Sequence, residues 1–455
     1  MKKILLSLVL AGLGITVSAQ KSIDQKVTEL MAKMTLEEKI GQLNQYNDDI
    51  TATGPVTKDA DKAGQVRAGK LGSILNAVGT KNTKNWQDQA MQSRLKIPLL
   101  FGQDVIHGFR TTFPIPLGET ATWDMNLIEK SARIAATEAS AYGIHWTFAP
   151  MVDIGRDPRW GRVMEGAGED TYLGTLVGKA RVKGFQGNGL GNKDAVMACA
   201  KHFAAYGAAV GGRDYNSVDM SLRQLHETYL PPFKAVSDIG VATFMNSFND
   251  INGIPATGSK YLQRDLLKGA WNFQGFVVSD WGSIGEMIPH GFAKDNKDAA
   301  LKAIIAGSDM DMESRSYINH LAELVKEGKV DIQLVDDAVR RILTKKYELG
   351  LFDDPYRFIN EKREKEQANN PEHRKFAREI GAKSIVLLKN QTQLLPLSKT
   401  TKKVAIIGPF AKATVDNHGF WSIAFPDDNQ RIITQFDGIK AQLDKNSELL
   451  YAKGC

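Results

Sequence analysis

Five short apolar runs in this chain end at or near polar residues. These residues are Asp104 in IPLLFGQD, Lys201-His202 in VMACAKHF, Asn246-Ser247 in VATFMNS, Asp280 in QGFVVSD and Asp309-Asp311 in AGSDMDM. Apolar and β-branched runs of this length read as buried strands. A lone aspartate after a strand is ordinarily a cap or a turn residue. Five polar endings in corresponding places suggest a common purpose, because the carboxyl ends of parallel strands converge on one pocket. Carboxylates beside a lysine and a histidine suit a ligand rich in hydroxyls. An aromatic such as Trp281, next to Asp280, suits the apolar face of a sugar ring.

The elements that must position these groups alternate along about 300 residues. Besides the runs above, LGSIL (71–75) and IHWTFAP (144–150) read as strands. Between the runs lie amphipathic segments such as 127–143 and 222–240, and Thr35 with Glu38 has capping-box spacing ahead of an apolar helix face. Strand and helix in alternation predict a parallel sheet. A (β/α)8 TIM-like barrel fits the length, and a doubly wound open sheet is the alternative. From about Phe352 the chain turns polar through NEKREKEQANNPEH, which reads as a linker over 352–373. A helix over 374–383 and strands in SIVLLKN (384–390) and KKVAIIGPF (402–410) then predict the start of a second α/β sandwich domain, over 374–455 and incomplete.

Residues 1–19 combine Lys2 and Lys3, an apolar stretch and a small-residue ending at Val17-Ser18-Ala19, the pattern of a secretory signal. The expected barrel domain then spans 20–351, and the protein is expected to be exported, to the periplasm or beyond. Losing the two signal lysines lowers the formal charge from +6 to +4. That balance and the lack of a basic cluster argue against a nucleic-acid partner. No later segment reads as a membrane span. Cys199, inside an apolar run, reads as a buried thiol, and Cys455 is the other cysteine. There is no serine nucleophile elbow, no phosphate-cradling loop, no dinucleotide fingerprint and no HExxH. The histidines are scattered, and His107 and His202 with nearby acids are the alternative of a metal site; no cofactor or metal is expected.

Eight stretches together resemble glycoside hydrolase family 3, and in particular its bacterial periplasmic β-glucosidases. They are MTLEEKIGQL (34–43), GQDVIHGFRTTFPIPLG (102–118), APMVDIGRDPRWGRVMEGAGEDTYL (149–173), KHFAAYG (201–207), NSFNDINGIPATGS (246–259), GFVVSDWGSI (275–284), AGSDMDM (306–312) and SIVLLKNQTQLLPL (384–397). The resemblance implies a retaining exo-β-glucosidase that releases terminal β-D-glucose from oligosaccharides or aryl β-glucosides in carbohydrate catabolism. A β-xylosidase, a broad β-glycosidase or a non-catalytic sugar-binding fragment are the alternatives. It implies Asp280 as the nucleophile and Asp104, Arg162, Lys201, His202, Arg213 and Trp281 as sugar-binding residues. Arg156 and Arg159 are expected to pair with acids such as Asp157, Glu165 or Glu169. Two departures stand out. Phe248 occupies a position where the family often has tyrosine. No residue over 371–455 matches the family's acid/base glutamate, Glu448 being the obvious carboxylate there, so the 455 residues are expected to be part of a longer enzyme. Trp421, in DNHGFWSIAF, is expected to line an outer sugar subsite.

Overall fold

The computed structural model describes residues 21–48, 61–427 and 432–454; the expected signal and Cys455 lie outside them. Among the described residues the strands are β1 (Asn44–Asn47), β2 (Ser73–Leu75), β3 (Leu100–Gln103), β4 (Trp146–Thr147), β5 (Cys199–Phe203), β6 (Thr243–Asn246), β7 (Asp250–Ile251), β8 (Ile254–Pro255), β9 (Phe276–Val278), β10 (Asp311–Met312), β11 (Lys403–Ile407) and β12 (Glu448–Ala452). Two parallel sheets, β10-β1-β2-β3-β4 and β5-β6-β9, carry the site. Parallel bridges Trp146↔Met197 and Val278↔Met310 join them at both edges. The eight strands therefore close into a ring, which decides for the barrel over the open sheet. β7 and β8 form a short antiparallel hairpin after β6.

Aromatic packing ties distant strands together inside the ring. Trp146 meets Phe148 and Phe276 edge-on at 4.8 and 5.0 Å, and its indole N–H donates to Thr243 Oγ1 at 2.8 Å. A buried indole N–H needs such an acceptor. Each run predicted for the barrel holds a strand, but β1, sequence NQYN, was not anticipated. Its polar residues are all buried and find partners inside the barrel. Asn44 Nδ2 donates to Ile40 O and Gln45 Nε2 to Ser73 Oγ, both at 2.7 Å.

The predicted helices form with local adjustments. Thr35 and Glu38 close their capping box ahead of Leu36–Gln42, and Met125–Ala141 starts at the Asp124 cap. The segment expected as one helix over 222–240 is broken. It runs Leu222–Gln224, then a wide π turn Leu225–Tyr229, then Pro231–Asp238. Pro231 and Pro232 lack amide hydrogens, so they tolerate only a helix start. The Leu230 N–H bonds back to Leu225 O at 2.9 Å.

The polar stretch after Phe352 crosses the barrel surface and includes the helix Glu361–Gln367. Glu364 accepts from the Thr80 N–H at 2.9 Å and Arg363 donates to Ser140 Oγ at 2.7 Å. Beyond the helix Pro371–Lys383, the expected strand at 384–390 is not formed. Ile385 and Leu388 are 78% and 91% exposed. A strand needs a neighbour for its N–H and C=O groups, and β11 pairs in parallel with β12 instead. Glu448 opens β12, is exposed, and pairs with Lys403 at 3.0 Å.

One segment of this C-terminal region docks on the barrel. Arg110 makes two 2.8 Å bonds to Asp427 and stacks on Phe425 at 4.0 Å. Phe425 packs edge-on against Phe109 and Tyr142, both at 5.6 Å. His107 Nε2 bonds Phe420 O at 2.7 Å. These contacts carry Phe420 and Trp421 to the barrel mouth.

Candidate active site

Asp280 is delivered by β9. The Ser279 N–H donates to Met310 O at 2.8 Å, and Ser279 Oγ accepts the Met312 N–H at 2.9 Å, locking the strand end to β10. The chain then turns sharply at Gly282, φ +70°, a left-handed conformation that a side chain would strain. Asp280 Oδ1 accepts the Trp281 N–H at 2.7 Å. Asp280 Oδ2 is buried with no hydrogen-bond partner. Burial pushes this carboxyl up to about 6, against the pull of Arg162 and Lys201. It faces a cavity of about 480 Å³, within the range of small-ligand sites.

Five of the seven residues expected to hold substrate or attack it line that cavity: Asp104, Arg162, Lys201, Asp280 and Trp281. Lys201 Nζ lies 3.3 Å from Asp104 Oδ1 and 3.5 Å from Glu165 Oε2. Arg162, on the turn Gly161–Glu165, binds Glu165 Oε1 through Nε at 2.7 Å. Burial opposes ionisation of Glu165, but Arg162 and Lys201 outweigh it and hold the carboxyl below its ordinary range. Asp104 shows the opposite balance, its carboxyl raised by burial despite Lys201.

His202 sits directly behind this wall. Its backbone N–H and Nδ1 both meet Asp153 Oδ2 at 2.8 Å, while Nε2 lies 2.9 Å from an Arg162 guanidinium nitrogen. A guanidinium only donates, so Nε2 accepts and the proton is on Nδ1. Burial, with Arg162 and Lys201, holds the ring neutral. The 3.5 Å approach of Nε2 to Asp280 Oδ2 is therefore not an ion pair. His202 orients Arg162 rather than neutralising Asp280.

Arg213 is placed differently from the expectation. It is exposed and does not line the cavity, whereas its neighbours Asp214 and Tyr215 do. Arg159 pairs with Asp157 at 2.6 Å, while Glu165 serves Arg162 and Lys201. Asn246 and Asp309 are spent on the scaffold: Asn246 donates to Ser308 Oγ at 2.7 Å, and Asp309 accepts from Lys268 at 2.5 Å. Asp311 caps the following turn through the Ser314 and Tyr317 N–H groups. Phe248 lines the cavity against the Tyr215 ring, centroids 4.4 Å apart. Trp421 lines the cavity, its ring centroid 5.2 Å from Lys201 Nζ. Cys199 is buried and unpaired, its thiol raised to about 12 by burial. Sequence reading missed Glu165, Asp153 and Glu286 as members or supports of the site.

The Asp280 environment sets a pH dependence. As the nucleophile that the sequence leads one to expect, Asp280 would have to be ionised to attack, so its covalent labelling should accelerate as pH rises from 4.5 to 7.5, with a midpoint near 6. Rates of adduct formation across that range read it directly. A midpoint near 4 would mean that burial does not govern Asp280.

Two family models match the chain, the glycosyl hydrolase family 3 N-terminal domain over residues 35–345 and its C-terminal domain over 385–453. The chain belongs to glycosyl hydrolase family 3. It is 43% identical to the periplasmic beta-glucosidase of Salmonella typhimurium, over 95% of this chain and 56% of that protein. It is 32% identical to a beta-xylosidase of Formosa agariphila, over all of this chain and 62% of that protein. Among solved structures, the beta-glucosidase of Listeria innocua in complex with isofagomine superposes with a TM-score of 0.89 at 40% identity, covering 94% of this chain and 60% of that one. The chain thus spans somewhat over half the length of these relatives.

Proposed function

We propose that the chain carries the sugar-binding and nucleophilic residues of a retaining exo-β-glucosidase. The observation that carries this reading is the buried Asp280 Oδ2, without a hydrogen-bond partner, at a cavity lined also by Asp104, Lys201 and Arg162, the last two paired with the buried Glu165. A terminal glucose would lie with its hydroxyls on Asp104, Lys201 and Arg162 and its anomeric carbon at Asp280. Asp280 Oδ2 attacks that carbon, the glycosidic bond breaks with its electron pair leaving on the aglycone oxygen, as an aryloxide when the aglycone is dinitrophenol, and a glycosyl ester forms; water then cleaves the ester, freeing glucose, restoring the carboxylate and releasing a proton to solvent. Trp281 and Trp421 offer apolar faces to the sugar. His202 holds Arg162 in place. The likeness to the Salmonella and Listeria beta-glucosidases supports glucose as the sugar.

The remaining expectations belong to this reading. Residues 1–19 are a secretory signal and the mature protein is exported to the periplasm, in keeping with the periplasmic relative. Among the described residues no helix is long and apolar enough to cross a membrane. The barrel domain covers 20–351, a linker 352–373, and the second domain starts at 374. The likeness to a beta-xylosidase makes the xyloside the competing substrate. Turnover of dinitrophenyl β-glucoside and β-xyloside separates the two. The glucoside should have the higher kcat/KM, by about tenfold or more if the cavity contacts the extra hydroxymethyl group. The reverse order would make the chain a xylosidase, and saccharide binding without any turnover would make it a binding protein.

A further inference from the structure

We infer that Arg110 is a positioning residue for the sugar site: clamped to Phe425 and Asp427, it holds Trp421 in the cavity without lining the cavity itself. The identity of the ligand rests on the proposed function. Trp421 lines the cavity with its ring centroid 5.2 Å from Lys201 Nζ, and Lys201 in turn lies 3.3 Å from Asp104. Yet the stretch 419–427 that bears this ring holds no helix or strand. Trp421 itself sits at φ +61°, a left-handed conformation that a residue with a side chain keeps only where its surroundings impose it. The ring is therefore located by the contacts on either side of it.

Those contacts come from one barrel loop, the loop that begins at Asp104. Just before Trp421, Phe420 O meets His107 Nε2 at 2.7 Å, and His107 Nδ1 lies 3.0 Å from Phe113 O. Beyond Trp421, the Phe425 ring lies 4.0 Å from the Arg110 guanidinium, and Asp427 accepts two 2.8 Å bonds from one guanidinium nitrogen. Arg110 is itself fixed to the barrel. Its backbone N–H and that of Thr111 both donate to Glu138 Oε2 at 2.8 Å, and Glu138 is fully buried on the helix Met125–Ala141. The Arg110 side chain is 4% exposed, so water competes little for its charge-assisted bonds and its stacking. A clamp with only structural meaning would add stability and leave sugar binding alone. This one spans the residue that lines the cavity, so releasing it should loosen Trp421 and weaken the sugar.

Calorimetry with glucose on the intact chain tests this through a cycle of variants. Asp427→Ala should weaken glucose about fivefold, the worth of one aromatic contact. Asp427→Glu keeps the carboxylate and should weaken glucose by less than about twofold. In a chain that already carries Trp421→Ala, adding Asp427→Ala should change nothing further. Asp427 is 50% exposed, so these variants should fold, and thermal unfolding confirms it. Unchanged glucose affinity in Asp427→Ala, or an equal loss with and without Trp421, overturns the assignment. Iodide quenching of the Trp421 fluorescence, taken as the difference from Trp421→Phe, reads the placement of the ring without any sugar. It should rise in Asp427→Ala, and quenching that stays the same also overturns the clamp. An unmodified chain that does not bind glucose would remove the proposed function, and the clamp would then stand or fall on the quenching alone.

Discussion

The Asp280→Asn variant should stay folded and bind glucose while losing hydrolysis of dinitrophenyl β-glucoside by about 10⁴–10⁶-fold, the range for removal of a group central to covalent catalysis. The change is nearly isosteric. The side-chain oxygen that accepts the Trp281 N–H at 2.7 Å is kept, and only the attacking carboxylate is lost. Stability should move the other way. The folded chain raises Asp280 to about 6, above the ordinary value near 3.9 of an unfolded aspartate. The native state therefore binds the proton more tightly, and this contribution to stability is lost as pH rises from about 4 to about 6. Asparagine escapes that loss, so the variant should be more stable at pH 7 by on the order of 2 kcal/mol. Urea unfolding at pH 4 and pH 7 checks both signs. A variant that is less active and less stable at pH 7 would instead mark Asp280 as a structural residue.

Replacing Arg162 with methionine should be the most damaging change to the cavity wall. It leaves Glu165, its side chain 1% exposed, with only the more distant Lys201, and it frees His202 Nε2. Breaking a buried ion pair from one side costs about 3–5 kcal/mol, because the other charge stays buried. Arg162→Lys should not restore the loss, since a lysine cannot serve Glu165 and His202 with a planar fork. Adding Glu165→Gln to Arg162→Met should recover part of the stability without recovering glucose binding. A double variant as unstable as the sum of the two single ones would show that the pair is not coupled.

The barrel was legible because its strands are apolar runs punctuated by helices of a different period. Its closure was not, since it depends on pairings such as Val278 with Met310 across the chain. β1 was hidden by its composition. NQYN has no apolar signature, and only the surrounding strands make those polar residues an interior layer. The stretch at 384–390 failed in the opposite sense: it has strand composition, but no described strand pairs with it.

The site was legible at strand ends and obscure in loops. Asp104, Lys201 and Asp280 follow from where strands stop, and Arg162 from the resemblance of its surrounding motif. In RDYN the sequence offered Arg213, whereas the loop presents Asp214 and Tyr215 to the cavity. Glu165 and Arg159 illustrate the same limit. Several acids and arginines lie within a few residues, and only the turn at Gly161–Glu165 decides which meet. Glu286 carried no signal at all, because one carboxylate on an amphipathic helix ordinarily faces water.

The most direct test is the intact mass of the full chain after incubation with dinitrophenyl 2-deoxy-2-fluoro-β-glucoside, followed by peptide mapping. The dinitrophenolate departs without a proton donor, and the fluorine slows breakdown of the ester. The account predicts a single added fluoroglucosyl group on the peptide containing Asp280, absent from Asp280→Asn. A folded chain that gains no mass, or gains it at another residue, would contradict the assignment of Asp280 as the nucleophile of a β-glucosidase.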